Sequence, residues 1–129
     1  MNPILVDSSI WIEYFKDKNS PISNTLDKLI DIDNIFINDL ILAELLPFLI
    51  TKKLNEVINS IKSIPRLKLD IHWKQIIEYQ VINLKNGINK VGIPDLIIAQ
   101  NAIQNNSFLF SLDKHFILMS KNLKLKLYS

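Results

Sequence analysis

The sequence predicts an α/β fold, with a central, mainly parallel β-sheet of about five short strands and helices on both faces. Two observations carry that prediction. Short apolar runs alternate with amphipathic stretches of helical length along the whole chain. The 129 residues are 48% hydrophobic and 22% charged, a composition that suits one packed core, so a single domain over residues 1–129 is expected.

The elements follow in order. Ile4–Val6 reads as a strand, after which Ser8 or Ser9 caps a helix to about Phe15. Ser20 and Pro21 open a second helix to about Ile30, with Leu26, Leu29 and Ile30 at helical spacing. Ile35–Ile37 is a short strand. Asp39 caps a helix to about Ile50, which Pro47 kinks or ends. Thr51 caps the next helix, whose Leu54, Val57, Ile58 and Ile61 share one face. Arg66–Leu69 reads as a strand, and Asp70 caps the longest helix, with Ile76, Ile77, Val81 and Leu84 inside. Gly87 and Gly92, the only glycines, bracket a loop, and Pro94 begins a helix to about Asn105. Ser107–Phe110 is a strand, Asp113–Leu118 a short helix and Leu123–Leu127 an edge strand.

Four acids stand out against this frame. Asp7 ends the first strand and Asp113 follows Phe108–Phe110, so both lie at carboxyl ends of strands, where open α/β sheets bind ligands. Asp95 sits in the first turn of its helix, where the dipole favours a carboxylate. Glu44 lies about one and a half turns into its helix and reaches inward on a longer side chain. Carboxylates among apolar neighbours are costly to bury unpaired. Brought together, they raise one another's pKa unless a cation joins them. A hard divalent cation, Mg²⁺ or its substitute Mn²⁺, suits such a set of oxygen donors. Sites of this kind act mostly on phosphates. Zero cysteines exclude thiolate metal sites and a disulfide scaffold.

Each acid also has a plainer reading. Asp7 and Asp113 suit helix caps, although Ser8 and Ser9 already serve the first helix, and Asp95 suits the helix dipole. Glu44 has the weakest plain reading because apolar residues flank it on both sides. The net charge is only +2, and charge alone reads as a solvated surface. The functional alternative is a phosphate-contacting rim from two clusters, Lys114, Lys121, Lys124 and Lys126, and Lys52, Lys53, Lys62, Arg66 and Lys68. Trp11 and Phe15 are four apart and read as core, with Tyr14 on a different face. His72 reads as structural. The N-terminal stretch lacks a basic region, and the longest apolar stretch, Leu40 to Ile50, is broken by Glu44 and Pro47. No signal peptide or membrane span is expected, and a cytoplasmic location is.

Four segments carry a family resemblance: Val6-Asp7-Ser8-Ser9-Ile10-Trp11-Ile12, Leu42-Ala43-Glu44-Leu45, Ile93-Pro94-Asp95-Leu96-Ile97-Ile98-Ala99 and Phe110-Ser111-Leu112-Asp113-Lys114-His115-Phe116. With them the chain resembles, over its whole length, a PIN-domain ribonuclease, most closely a VapC-type toxin of a type II toxin–antitoxin system. The resemblance implies a PIN-like fold and a Mg²⁺-dependent endoribonuclease that inhibits translation and growth. Asp7, Glu44, Asp95 and Asp113 would be its catalytic, metal-holding acids, and Ser111 and Ser9 would support them or contact phosphate. It also implies an RNA substrate, a VapB-like antitoxin held in a groove between the first helices and the Glu44 helix, and a homodimer. The Leu45, Leu46, Phe48 and Leu49 cluster fits that groove and fits a plain core as well. Asp39 stands where relatives often carry Ser or Thr. His115 stands where a second acid is frequent, and a solvated side chain is its plain reading. A non-catalytic PIN-like module that binds RNA or protein is the alternative, though intact acids argue against it. A haloacid-dehalogenase-like phosphatase fits poorly, because Ser9 occupies the position of the second Asp it needs.

Overall fold

The computed structural model describes residues 2–129. Its elements run β1 (Ile4–Val6), α1 (Ser8–Lys16), α2 (Pro21–Asp31), β2 (Ile35–Phe36), α3 (Asp39–Thr51), α4 (Asn55–Lys62), α5 (Trp73–Lys85), α6 (Ile93–Gln104), β3 (Phe108–Phe110), α7 (Lys114–Ser120) and β4 (Lys126–Leu127). The sheet order is β2-β1-β3-β4, and every pairing is parallel. Ile4, Leu5 and Val6 of central β1 are all buried, because helices cover both faces and leave no polar side to alternate. The chain leaves β1 for β2 on one side and returns through α6 to β3 on the other. The crevice at the carboxyl ends of β1 and β3 is therefore the topological switch point.

The sheet has four strands rather than about five. The expected strand Arg66–Leu69 shrinks to one parallel bridge, Ile37 to Arg66. Ile37 N donates to Pro65 O and Leu67 N to Ile37 O. Beyond that, the Lys68 carbonyl accepts from Asn101 Nδ2 instead of a strand. A side-chain amide on α6 thus does there what a ladder would otherwise do.

Several helix starts also differ from expectation. Asn38 caps α3, its Oδ1 accepting from Ile41 N at 2.8 Å, while Asp39 sits in the first turn. Pro47 does not end α3, which runs on to Thr51. Proline in a helix interior costs about 3 kcal/mol. Leu45 and Leu49, both fully buried, contribute roughly 1.5–3 kcal/mol each. Thr51 ends α3 rather than capping α4, whose cap is Leu54. His72 rather than Asp70 precedes α5, and α5 ties α3 in length at 13 residues.

Helix α5 buries Ile76, Tyr79 and Asn83. Ile77, Val81 and Leu84, expected inside, are 64%, 43% and 58% exposed. They lie on the side of α5 turned away from α6, where no element covers them. Gly87 closes this helix with a φ of 74°, a left-handed position suited to glycine. Tyr14 is not on a separate face, for its ring meets both Trp11 and Phe15 edge-on.

Candidate metal centre

Pairing between β1 and β3 continues one residue past β1, since Asp7 N donates to Phe110 O at 2.9 Å. That bond sets Asp7 beside Ser111. Asp7 stands in the cap position of α1, with φ −72° and ψ 157°, yet its carboxylate accepts no helix N–H. Ser8 and Ser9 do not cap α1 either. They lie inside it and serve carboxylates, Ser8 Oγ donating to Glu44 Oε1 at 3.3 Å and Ser9 Oγ to Asp7 Oδ2 at 2.8 Å.

Ser111 Oγ donates to the same Asp7 oxygen at 2.7 Å. Each hydroxyl also accepts a backbone N–H, Ser9 Oγ from Leu112 and Ser111 Oγ from Asp113, both at 3.0 Å. With both protons spent on Asp7, the 3.3 Å contact between the two serines carries none. Both donors address Oδ2. Among the described residues no donor meets Oδ1, so that oxygen is left for another ligand. The buried Asp7, 5% exposed, is thus half satisfied by design of its neighbours.

Asp113 ends the loop after β3 and caps α7, its Oδ1 accepting from His115 N at 2.9 Å. The same turn brings His115 Nδ1 to 3.6 Å from Asp113 Oδ1 and 4.0 Å from Asp95 Oδ2. Asp95, in the first turn of α6, completes a cluster in which one donor atom from each of Asp95, Asp113 and His115 lies within 4.8 Å of the others. His115 therefore belongs to the acidic centre rather than to solvent. The signal available in the sequence was its place two residues after a capping Asp, which folds a side chain back over the cap.

Glu44 lies at the open side of this centre with an exposed side chain, so the cost of full burial does not apply to it. Its pKa is nevertheless raised from the ordinary 4.5, first by desolvation, then by Asp7, with Asp95 and Asp113 adding to the shift and the Ser8 hydroxyl opposing it. Asp95 is raised from 3.8 by desolvation, then by Asp113 and Asp7, with His115 opposing. The acids expected from sequence thus feel one another, although Asp7 and Glu44 stand outside the tight cluster. Carboxylates that repel one another, an open oxygen on Asp7 and one imidazole form a donor set that fits a hard divalent cation.

Asp39 takes no part. It pairs with Arg66 Nε at 3.3 Å on the surface. His72 is likewise remote, its Nε2 3.1 Å from Asp70. Of α3's Leu45, Leu46, Phe48 and Leu49, the first and last are core and the other two pack partly buried against it.

Residues 4–122 match the family model described as PIN domain. No curated protein sequence matches the chain. Solved structures similar in fold include three from bacteria. VapBC2 from Rickettsia felis, bound to a DNA fragment from its promoter, has a TM-score of 0.73 at 20% identity, over 97% of this chain and 96% of that one. DNA-bound VapBC from Salmonella typhimurium has 0.73 at 16%, over 99% and 98%. FitAcB from Neisseria gonorrhoeae has 0.67 at 18%, over 98% and 96%.

Proposed function

The chain belongs to the PIN-domain family, and from that premise we propose that it is a Mg²⁺-dependent endoribonuclease, the VapC-type toxin of a type II toxin–antitoxin pair. One observation supports the reading: Asp95 and Asp113 cluster with His115 at the switch point of a parallel sheet, with Asp7 and Glu44 beside them, and the pKa values of Asp95 and Glu44 are raised. In this reading Asp7, Glu44, Asp95 and Asp113 would hold the metal, with Mn²⁺ as a substitute. When bound, the cation would neutralise the acids and offset charge developing on a phosphodiester. The chain's own part is orientation. Ser9 and Ser111 fix the Asp7 carboxylate through Oδ2, and the cap of α7 fixes Asp113. Glu44, its carboxyl raised above the usual range by desolvation and by Asp7, would be placed to exchange a proton at the site. Hydrolysis leaves 5′-phosphate and 3′-hydroxyl ends, and cleavage of a structured RNA stops translation and growth. The domain spans residues 1–129 and works in the cytoplasm.

The partner in this reading is a VapB-like antitoxin. An apolar cleft of about 380 Å³ supports a docked segment of such a protein, but it lies between α1, α2 and α4, lined by Trp11, Phe15, Ile30, Val57 and Ile61, and not against the Glu44 helix as expected. A homodimer is supported by α5. Trp73, Ile77, Val81 and Leu84 make one exposed stripe at spacings of 4, 4 and 3 residues, which a two-fold axis can pair with itself. Ile77→Glu is expected to shift the sedimenting species from dimer to monomer.

The deciding experiment is cleavage of total RNA by the purified protein with Mg²⁺, beside EDTA and Asp7→Asn controls. Discrete cuts lost in both controls are expected. Protein freed of any partner that binds RNA but cuts nothing would replace this reading with the non-catalytic module.

A further inference from the structure

A hollow of about 280 Å³ lies directly behind the acidic centre, between α2, β3, α7 and β4. Its lining includes Phe110, Phe116, Ile117 and Tyr128, and also Ser111 and Asp113. Ser111 is the residue whose hydroxyl donates to Asp7, and Asp113 is one of the clustered acids. A group seated in the hollow is therefore one residue away from a phosphate engaged at the carboxylates.

We propose that this hollow receives one unpaired nucleobase of the RNA substrate, flanking the bond to be cut. The proposal rests on the ribonuclease reading above. Three observations favour a base over other occupants. Tyr128 and Ile117 offer accessible aromatic and aliphatic surface above a floor formed by the buried Phe110 and Phe116, which suits stacking of a flat, weakly polar ring. No lysine or arginine lines the hollow and a carboxylate does, which disfavours a phosphate. The polar atoms at its rim suit the N–H edge of a base. Thr25 Oγ1 spends its proton on Pro21 O and keeps lone pairs free, and no hydrogen bond engages the Tyr128 hydroxyl among the described residues. The Tyr128 ring is held in place edge-on by Phe108 and Phe110, at centroid distances of 6.4 and 5.3 Å. A wall that is already ordered costs little to stack against. Ile117, 50% exposed, stands on the α7 side of this hollow and is accessible to a ligand.

The test crosses protein variants with modified RNA. Short single-stranded RNA is made with one abasic nucleotide, or one 2-aminopurine, at each position in turn. Wild type is compared with Tyr128→Ala, which removes a wall, and with Thr25→Trp and Ile117→Trp, two independent ways to fill the hollow. One abasic position is expected to lower kcat/KM about tenfold or more in the wild type. The variants should lose a similar factor on intact RNA and nothing further on that abasic RNA. Variants that slow intact and abasic RNA alike would overturn the proposal, as would indifference to base loss at every position. Metal-free binding separates this proposal from the nuclease reading. Quenching of 2-aminopurine by wild type, relieved in the variants, supports the hollow even if nothing is cut. Unquenched fluorescence at every position overturns it even if cleavage is efficient.

Discussion

The two flanks of the acidic centre are held in opposite ways. On one, Asp7 is buried at a strand end and receives two serine hydroxyls, each of which is itself anchored by a backbone N–H. On the other, Asp95 and Glu44 carry raised pKa values because desolvation and neighbouring acids act on them with little to offset the charge. The first flank has donors on Asp7 Oδ2 supplied by the chain itself. The second stores electrostatic repulsion that a cation would relieve. Placement and affinity are thus divided between two sides of one site.

The largest test of that division is Asp7→Asn. Asn still accepts both hydroxyls through its oxygen but loses the charge, so cleavage should fall about 10²-fold or more with a small change in melting temperature. A large loss of stability would mean that the Asp7 flank is chiefly structural. Ser111→Ala comes next. It strips one donor from Asp7 and one acceptor from Asp113 N, at a cost of roughly 1–3 kcal/mol in denaturant unfolding. Metal affinity, followed by Mn²⁺ titration, should drop about 10- to 100-fold.

The opposite flank should respond with the opposite sign. Asp95 and Glu44 have folded pKa values above their unfolded ones, so between the two values the folded chain binds more protons. Metal-free stability contributed by these groups therefore falls as pH rises through that interval and stays low above it. Asp95→Asn and Glu44→Gln should raise the metal-free melting temperature at pH 7, and the gain should vanish below the ordinary carboxylate range. Added Mg²⁺ should stabilise wild type more than either variant. A variant that destabilises the metal-free protein at pH 7 would break the comparison. The smallest effect belongs to Asp39→Ala, which removes an exposed pair with Arg66 and should cost less than about 1 kcal/mol without changing cleavage.

Much of the fold was legible. The apolar triplets Ile4–Val6 and Phe108–Phe110 are strands because a strand covered on both faces needs no polar alternation. Ser20 and Pro21 start α2 because a hydroxyl accepts Ser23 N and proline suits the first turn. Arg66–Leu69 was misleading because its pattern is a strand's while its carbonyls are met by Asn101. Asn38 displaced Asp39 as a cap because two adjacent residues can both accept, and only the backbone angle of one decides which does. On α5, apolar residues occupy more than one face, and only the neighbouring α6 settles which face is inside.

The chain by itself determined the parallel α/β order, the four acids and their places at strand ends and helix starts, since these follow from local periodicity and capping chemistry. Tertiary structure alone decided that Ser9 and Ser111, 102 residues apart, share one carboxylate oxygen. It also brought His115 into the centre and left Trp73, Ile77, Val81 and Leu84 facing outward. The physical reason is the same in each case. A residue's type limits what it can bond or bury, but which partner it meets depends on chain segments distant in sequence.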